Sequence, residues 1–271
     1  MKMGRFGKAF SSIYSVLVFI FMYAPIFVMI VFSFNKLKSR GKWGGFTLDW
    51  YAEMLQDTRL MESLKTTLAI ALVSSAIAVI VGTTAAIGIY FMKKGLRKLH
   101  LNIAYLPMVN ADIVTGISLL IIFSVLGISL GRISLLLAHI TFEIPYVIFS
   151  VLPKLQQMQW NTFEAAQDLG APPVKAFFKT VLPEIMPGVV TGFLMAFTLS
   201  IDDFVISYFT AGAGVSTLSV TIYTMARKGV KPSINALSAI MFIVVLLLLI
   251  LINTRNQKQS DQEKKLQKLY K

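Results

Sequence analysis

No cysteine occurs in the 271 residues, which excludes a disulfide framework, thiol catalysis and a thiolate metal site. The two histidines, His100 and His139, stand alone and read as interface or packing residues rather than ligands. Charge is scarce. Asp, Glu, Lys and Arg make up 14% of the chain and hydrophobic residues 56%, where an ordinary soluble domain carries about 25% charged residues. That balance excludes a water-soluble globule. Segments of alternating polarity about 10 residues long, the mark of an outer-membrane barrel, are also missing. So is a phosphate-binding loop of the form GxxxxGK[ST], so this chain does not hydrolyse ATP by that route. Acidic residues number 13 against 26 Lys and Arg, a net charge of +13. The basic residues gather in loops and tails, where they fix membrane orientation, and no nucleic-acid partner is expected.

What the chain has instead is apolar runs long enough to cross roughly 30 Å of hydrocarbon. They predict an all-α polytopic membrane protein with six spans, at 13–34, 64–92, 101–126, 133–152, 187–209 and 234–253. The basic residues Lys2, Arg5 and Lys8 before the first run resemble a signal peptide. That run exceeds the roughly 7–15 residues of a signal core and no small-x-small site follows, so it reads as a retained span. Pro25, Pro107, Pro145 and Pro187 fall inside or at the ends of spans, where neighbouring helices satisfy the backbone groups they free.

An even number of spans puts both termini on one side. That side receives the N-terminal tail, the turn 93–98, the central loop and the tail 255–271, which together hold 16 of the 26 Lys and Arg. It is therefore the cytoplasmic side, although Lys36, Lys38, Arg40 and Lys42 lie opposite. In the first outer loop, residues 46–55 (FTLDWYAEML) predict a short surface helix with Trp50 and Tyr51 at the lipid headgroups.

The most informative stretch is polar and lies between two apolar runs: EAAQDLGAPPVKAFFKTVLP, residues 164–183. Phe163, Ala166 and Leu169 recur at helical spacing, Asn161 or Thr162 caps the start, and Glu164 and Asp168 favour the helix dipole. Gly170 ends that helix. Pro172 and Pro173 suit the start of a second one carrying Val174, Phe177, Phe178 and Val181. Two short amphipathic helices at a bend are expected. On physical grounds alone they are either a connector on the headgroups or a handle for a partner in the water.

The loop resembles the EAA loop of ABC-transporter permeases, carried here by Glu164, Ala165, Ala166, Gly170, Leu182 and Pro183. Thr180 departs from the family's usual isoleucine. The segments FTLDWY from Phe46, PMVNADIVTGISLL from Pro107, SIDDFV from Ser200 and TLSVTIYTMARKGVKPSINALSAI from Thr217 are similar to the second permease of spermidine/putrescine importers, the PotC type. The resemblance implies a type I importer permease fold in one membrane domain over 1–271. Its core would cover about 62–252, with a cytoplasmic coupling loop at 157–186 and a basic cytoplasmic tail at 254–271. It further implies a heterodimer with a second permease, two ATPase subunits at the coupling loop, an extracellular solute-binding protein and a polyamine substrate, all in a bacterial plasma membrane. No catalytic site, metal or cofactor is implied.

Asp112, Glu143, Asp202 and Asp203 fall in or near the spans. A charge at the bilayer centre costs about 2.5–3.5 kcal/mol on insertion scales, so each needs a partner or a wet cavity. All four are acidic, which suits a pathway for organic cations, with Tyr23, Tyr105, Phe204 or Tyr208 adding cation–π contacts. Each also has a structural reading. Asp112 caps a helix restart after Pro107, one of Asp202 and Asp203 binds backbone, and Glu143 pairs with His139 one turn away. Other readings fit less of the chain. An intramembrane aspartyl protease using Asp112 and Asp202 lacks the Gly-x-Gly-Asp pattern. It also leaves the loop unexplained, and an ion-coupled carrier fits poorly because the six spans show no inverted repeat. Among importers, ferric ion and phosphonates are the rival substrates.

Overall fold

The computed structural model describes residues 5–38, 42–227, 232–247 and 250, with side chains from residue 13 onward. The basic tail at 254–271 and the end of the expected sixth span lie outside the described residues. Among those described, the structure is all-α. The helices are α1 (Arg5–Ser33), α2 (Asp49–Gln56), α3 (Thr58–Phe91), α4 (Lys94–Val109), α5 (Asp112–Val125), α6 (Arg132–Gln157) and α7 (Asn161–Asp168). There follow α8 (Pro173–Asp202), α9 (Val205–Thr210), α10 (Leu218–Arg227) and α11 (Pro232–Leu247). Among the described residues four helices are long and apolar enough to span a bilayer, or five spans if the bent pair α4–α5 is one. Helix α11 occupies the expected sixth span but is shorter within the described residues.

Several expectations need correction, three of them about where helices begin and end. The span expected at 101–126 is broken, with α4 and α5 meeting at 107°. Asn110 and Ala111 are both extended, and Pro107 one turn earlier has already removed a helical donor. The second loop helix is not separate. Pro173 opens a continuous 30-residue helix that runs on to Asp202; a π-helical turn at Phe177–Val181 precedes Pro183, and Pro187 lies inside the α-helical part beyond it. The first loop helix begins after Trp160 rather than on a side-chain cap from Asn161 or Thr162.

The chain divides into two compact units. One comprises Met1–Met61 and Ile222–Leu247. Within it Trp50 is buried rather than lying at headgroups, because its indole N–H donates to the Asn35 carbonyl at 2.7 Å. Tyr51 stacks on Phe34 and shares a hydrogen bond with Ser33. The Asn35 side chain ties the loop by accepting from the Gly44 amide and donating to the Lys42 carbonyl.

The second unit is built on Glu62–Thr221. Its centre is the hairpin of α6 and α8, which enclose Val147, Val151, Leu155, Val181, Ile185 and Ala196 with Ala78 and Ala86 of α3. Small residues let these backbones approach, as in other membrane bundles. A Cβ added at Gly188 would meet the Ser150 carbonyl oxygen at 2.8 Å and Val151 Cα at 3.2 Å, and one at Gly192 would meet Val147. Backbone is the obstacle at Gly188, so no rotamer change relieves it. Replacing Gly188 by alanine is expected to cost about 1–3 kcal/mol through overpacking. A thermal melt of the purified protein in detergent checks this, and an unchanged melting temperature would show that α6 and α8 have slack.

Candidate functional site

Two places in the second unit carry chemistry, and the α6–α8 hairpin joins them. The first is the tip of the hairpin. Trp160, at the start of α7, stacks on Tyr90 of α3 with ring centroids 5.3 Å apart, and its indole N–H donates to the Tyr90 hydroxyl at 2.8 Å. Phe91 and Phe163 pack edge-on against the same indole, and the Arg97 guanidinium lies 5.7 Å from the Tyr90 ring. This cluster fixes where α7 leaves the bundle. The helix then stops at Gly170, whose φ of +85° is open to glycine at little cost.

Of the six residues assigned to this loop, Glu164, Ala165, Gly170 and Pro183 are exposed, whereas Ala166 and Leu182 are half-buried against the bundle. Thr180, where the pattern departs, is half-buried and donates to the Ala176 carbonyl of its own helix at 2.8 Å. Of the apolar residues expected on the faces of the two loop helices, three remain uncovered. Leu169 is 89% exposed, Val174 69% and Phe178 57%. Flanked by Glu164, Asp168, Lys175 and Lys179, such a set is neither core nor plain solvated loop.

The second place is a buried polar cluster near the far ends of α6 and α8. Ser74 of α3 donates to Glu143 Oε1 at 2.7 Å and lies 3.4 Å from Ser200 Oγ of α8. His139 Nδ1 lies 2.6 Å from Ser200 Oγ, and its Nε2 is 3.1 Å from Ser207 Oγ of α9 and 3.6 Å from Asp203 Oδ2. His139, Glu143, Ser74 and Ser207 are fully buried. His139 and Glu143, one turn apart, approach only to 3.9 Å. Serines are the true partners of both, and those serines carried no sequence signal beyond being polar inside apolar runs. Glu143 Oε2 has no hydrogen-bond partner among the described residues.

The four acidic residues sit differently. Helix α8 ends between Asp202 and Asp203, since Asp203 is extended at φ −63°, ψ 126°. The Asp203 carboxylate therefore turns inward and accepts the Ile206 and Ser207 amides at 3.2 and 2.7 Å, as an N-cap does for α9. Asp202 is exposed, and so is Asp112 in the first turn of α5. Ala111, not Asp112, takes the cap position. Asp112 is close enough to act electrostatically on Asp203 and Tyr146, and α5 and α9 pack through Gly116 against Val205, Ile206 and Phe209. Asp112, Asp202 and Asp203 thus belong to one acidic end, with Glu143 behind it in the packed interior. Among the described residues no Lys or Arg forms an ion pair with any of the four.

Comparison with known proteins agrees with this architecture. Residues 1–262 match the family "Binding-protein-dependent transport system inner membrane component". The chain is 38% identical to the putrescine transport system permease protein PotI of Escherichia coli (strain K12) over 232 residues, 82% of each. It is 37% identical to the spermidine/putrescine transport system permease protein PotC of Haemophilus influenzae over 226 residues, 83% of this chain and 88% of that protein. Among solved structures, a bacterial ABC transporter that imports the acidic polysaccharide alginate superposes with a TM-score of 0.68 at 17% identity, covering 92% of this chain and 95% of the other. The chain belongs to the binding-protein-dependent transport system inner membrane component family. It is a multi-pass, non-catalytic permease of the PotC and PotI type, in a class whose ATPase is a separate subunit.

The aromatic cluster at the tip has a direct test. Trp160→Ala is expected to free α7 and cost roughly 1.5–2.5 kcal/mol, about half the value for a fully buried tryptophan. Limited proteolysis between residues 160 and 172 should then accelerate about tenfold or more. Unchanged cleavage would mean that α7 is held by something else.

Proposed function

We propose that this chain is the membrane-spanning subunit of an ATP-driven importer that takes polyamines, putrescine or spermidine, into the cell. The observation that carries the reading is the 37–38% identity, over more than four fifths of the chain, to permeases named for putrescine and spermidine/putrescine transport. The chemistry of the acidic end supports it. Carboxylates that pair with no Lys or Arg among the described residues replace the water that each ammonium group gives up on leaving solvent. Asp112 and Asp202 are exposed and placed to do this, with Asp203 beside them. An anionic cargo would meet repulsion there.

On this reading the α7 tip faces the cytoplasm, as the distribution of basic residues favours, and both termini lie on that side. Glu164, Ala165, Leu169, Val174 and Phe178 form the surface on which an ATPase subunit docks. A second permease completes the pathway, a second ATPase serves it, and an extracellular binding protein delivers the cargo. ATP binding draws the ATPases together, and the α6–α8 hairpin carries that motion as rigid-body rocking. This chain contributes positioning and transmission, not bond chemistry.

Uptake of radiolabelled putrescine and spermidine should be lost when the chain is deleted and return when it is restored. Import unaffected by the deletion would refute the reading. In the assembled complex, Glu164→Lys is expected to abolish substrate-stimulated ATP turnover, and turnover that survives unchanged would show that docking does not use α7. Asp112→Asn and Asp202→Asn should each slow import about tenfold, the equivalent of one charge-assisted hydrogen bond of roughly 1.4 kcal/mol. Normal import rates in both would place the cation pathway elsewhere.

A further inference from the structure

The buried polar cluster is not explained by docking or by direct contact with a cation, since its members are sealed from solvent. Serine hydroxyls, an imidazole and a carboxyl from α3, α6, α8 and α9 meet at one level of an otherwise apolar bundle. An apolar core at that level would avoid the cost of burying them. What the cluster touches indicates its use. Ser207 bears two roles at once: its amide donates to Asp203 Oδ2 at 2.7 Å, and its hydroxyl lies 3.1 Å from His139 Nε2. His139 reaches back through Ser200 to Ser74 and Glu143. A continuous chain of polar contacts therefore runs from the packed interior to the break between α8 and α9.

That break decides the direction of two adjacent carboxylates. Side chains of neighbouring residues in a continuous helix diverge by about 100°. Here the backbone turns at Asp203, so one carboxylate is drawn onto the α9 amides and the other is left in the open. We propose that His139, held by Ser200 and Ser207 and backed by Ser74 and Glu143, is a positioning device that keeps Asp203 inward and so presents Asp202 outward, beside Asp112, to the cationic cargo. The device acts through Asp203 and touches no substrate. It rests on the assignment of the acidic end to the cation pathway, and it adds the element that sets the geometry of that end. In this network Glu143 Oε2 has no hydrogen-bond partner among the described residues, so a shift of the α6–α8 hairpin against α3 finds a carboxyl oxygen open to a new contact.

The chain has no cysteine of its own, so one introduced thiol reports on position in the full complex. In Asp202→Cys, labelling of this chain by a cationic methanethiosulfonate is expected to outpace its anionic counterpart roughly tenfold, through the field of Asp112 and Asp203. Adding Ser207→Ala, which removes the hydroxyl anchor, should reduce that preference at least threefold, whereas Ser207→Thr should restore it. Ser150→Ala, whose hydroxyl bonds Tyr146 of its own helix and reaches Met195 Sδ of α8 at 3.6 Å, serves as the control for a hydroxyl between α6 and α8 outside the cluster and should leave it unchanged. In chains that keep Asp202, Ser207→Ala should slow polyamine uptake threefold or more with basal ATP turnover intact. The proposal is overturned if Ser207→Ala leaves labelling unchanged, or if Ser207→Ala, Ser207→Thr and Ser150→Ala lower it alike. A wild-type complex that imports no polyamine defeats the functional reading, and the labelling arm still decides this one.

Discussion

The close approach of α6 and α8 is the constraint on which the rest depends. Gly188 and Gly192 remove the side chains that would hold the two backbones apart, and in lipid such contact is worth more than apolar burial, since the solvent is already apolar. The hairpin so formed carries the polar tip at its closed end. Toward its other end it carries His139 and Glu143 on one arm and Ser200 and Asp203 on the other. Helix α8 runs 30 residues without a break, about 45 Å at 1.5 Å per residue. One packed object therefore connects the exposed tip with the acidic end.

The two ends use opposite devices. At the tip, order comes from aromatic packing around Trp160, which leaves α7 fixed at its root and bare at its surface. Leu169, Val174 and Phe178 are exposed there, and on the proposed reading an ATPase subunit covers them. At the acidic end, order comes from hydrogen bonds, because apolar contacts do not dictate the direction of a carboxylate. A network that spans four helices constrains all of them together, and its loss would be felt as altered geometry before altered stability.

Much of this was legible in the sequence, and the failures have physical causes. Apolar length predicted the long helices Ile13–Ser33, Thr58–Phe91 and Arg132–Gln157, since hydrocarbon thickness sets helix length, but six full spans are not reached among the described residues, and the loop was visible as polarity between two such runs. Gly170 as a helix stop follows from its freedom at positive φ. The bend at Asn110–Ala111 was missed because hydropathy is blind to backbone direction. The second loop helix was taken as separate because Pro183 looked like a terminator, whereas the helix runs on through it after a π-turn. Trp50 was read as an interface anchor because composition does not reveal that Asn35 lies near enough to take its N–H. Ser74, Ser200 and Ser207 were overlooked since a lone serine in an apolar run is common, and only folding brings them around His139.

The central claim is that the α6–α8 hairpin moves as one rigid body between its tip and its acidic end. It is tested most directly by the distance between spin labels on Thr141→Cys of α6 and Met195→Cys of α8, measured by pulsed electron resonance in the assembled complex without nucleotide and with ATP trapped. The account predicts one distance distribution in both states. A shift of more than a few ångströms between them would show that the arms slide or splay, and the tip would then not be mechanically joined to Asp202 and Asp203.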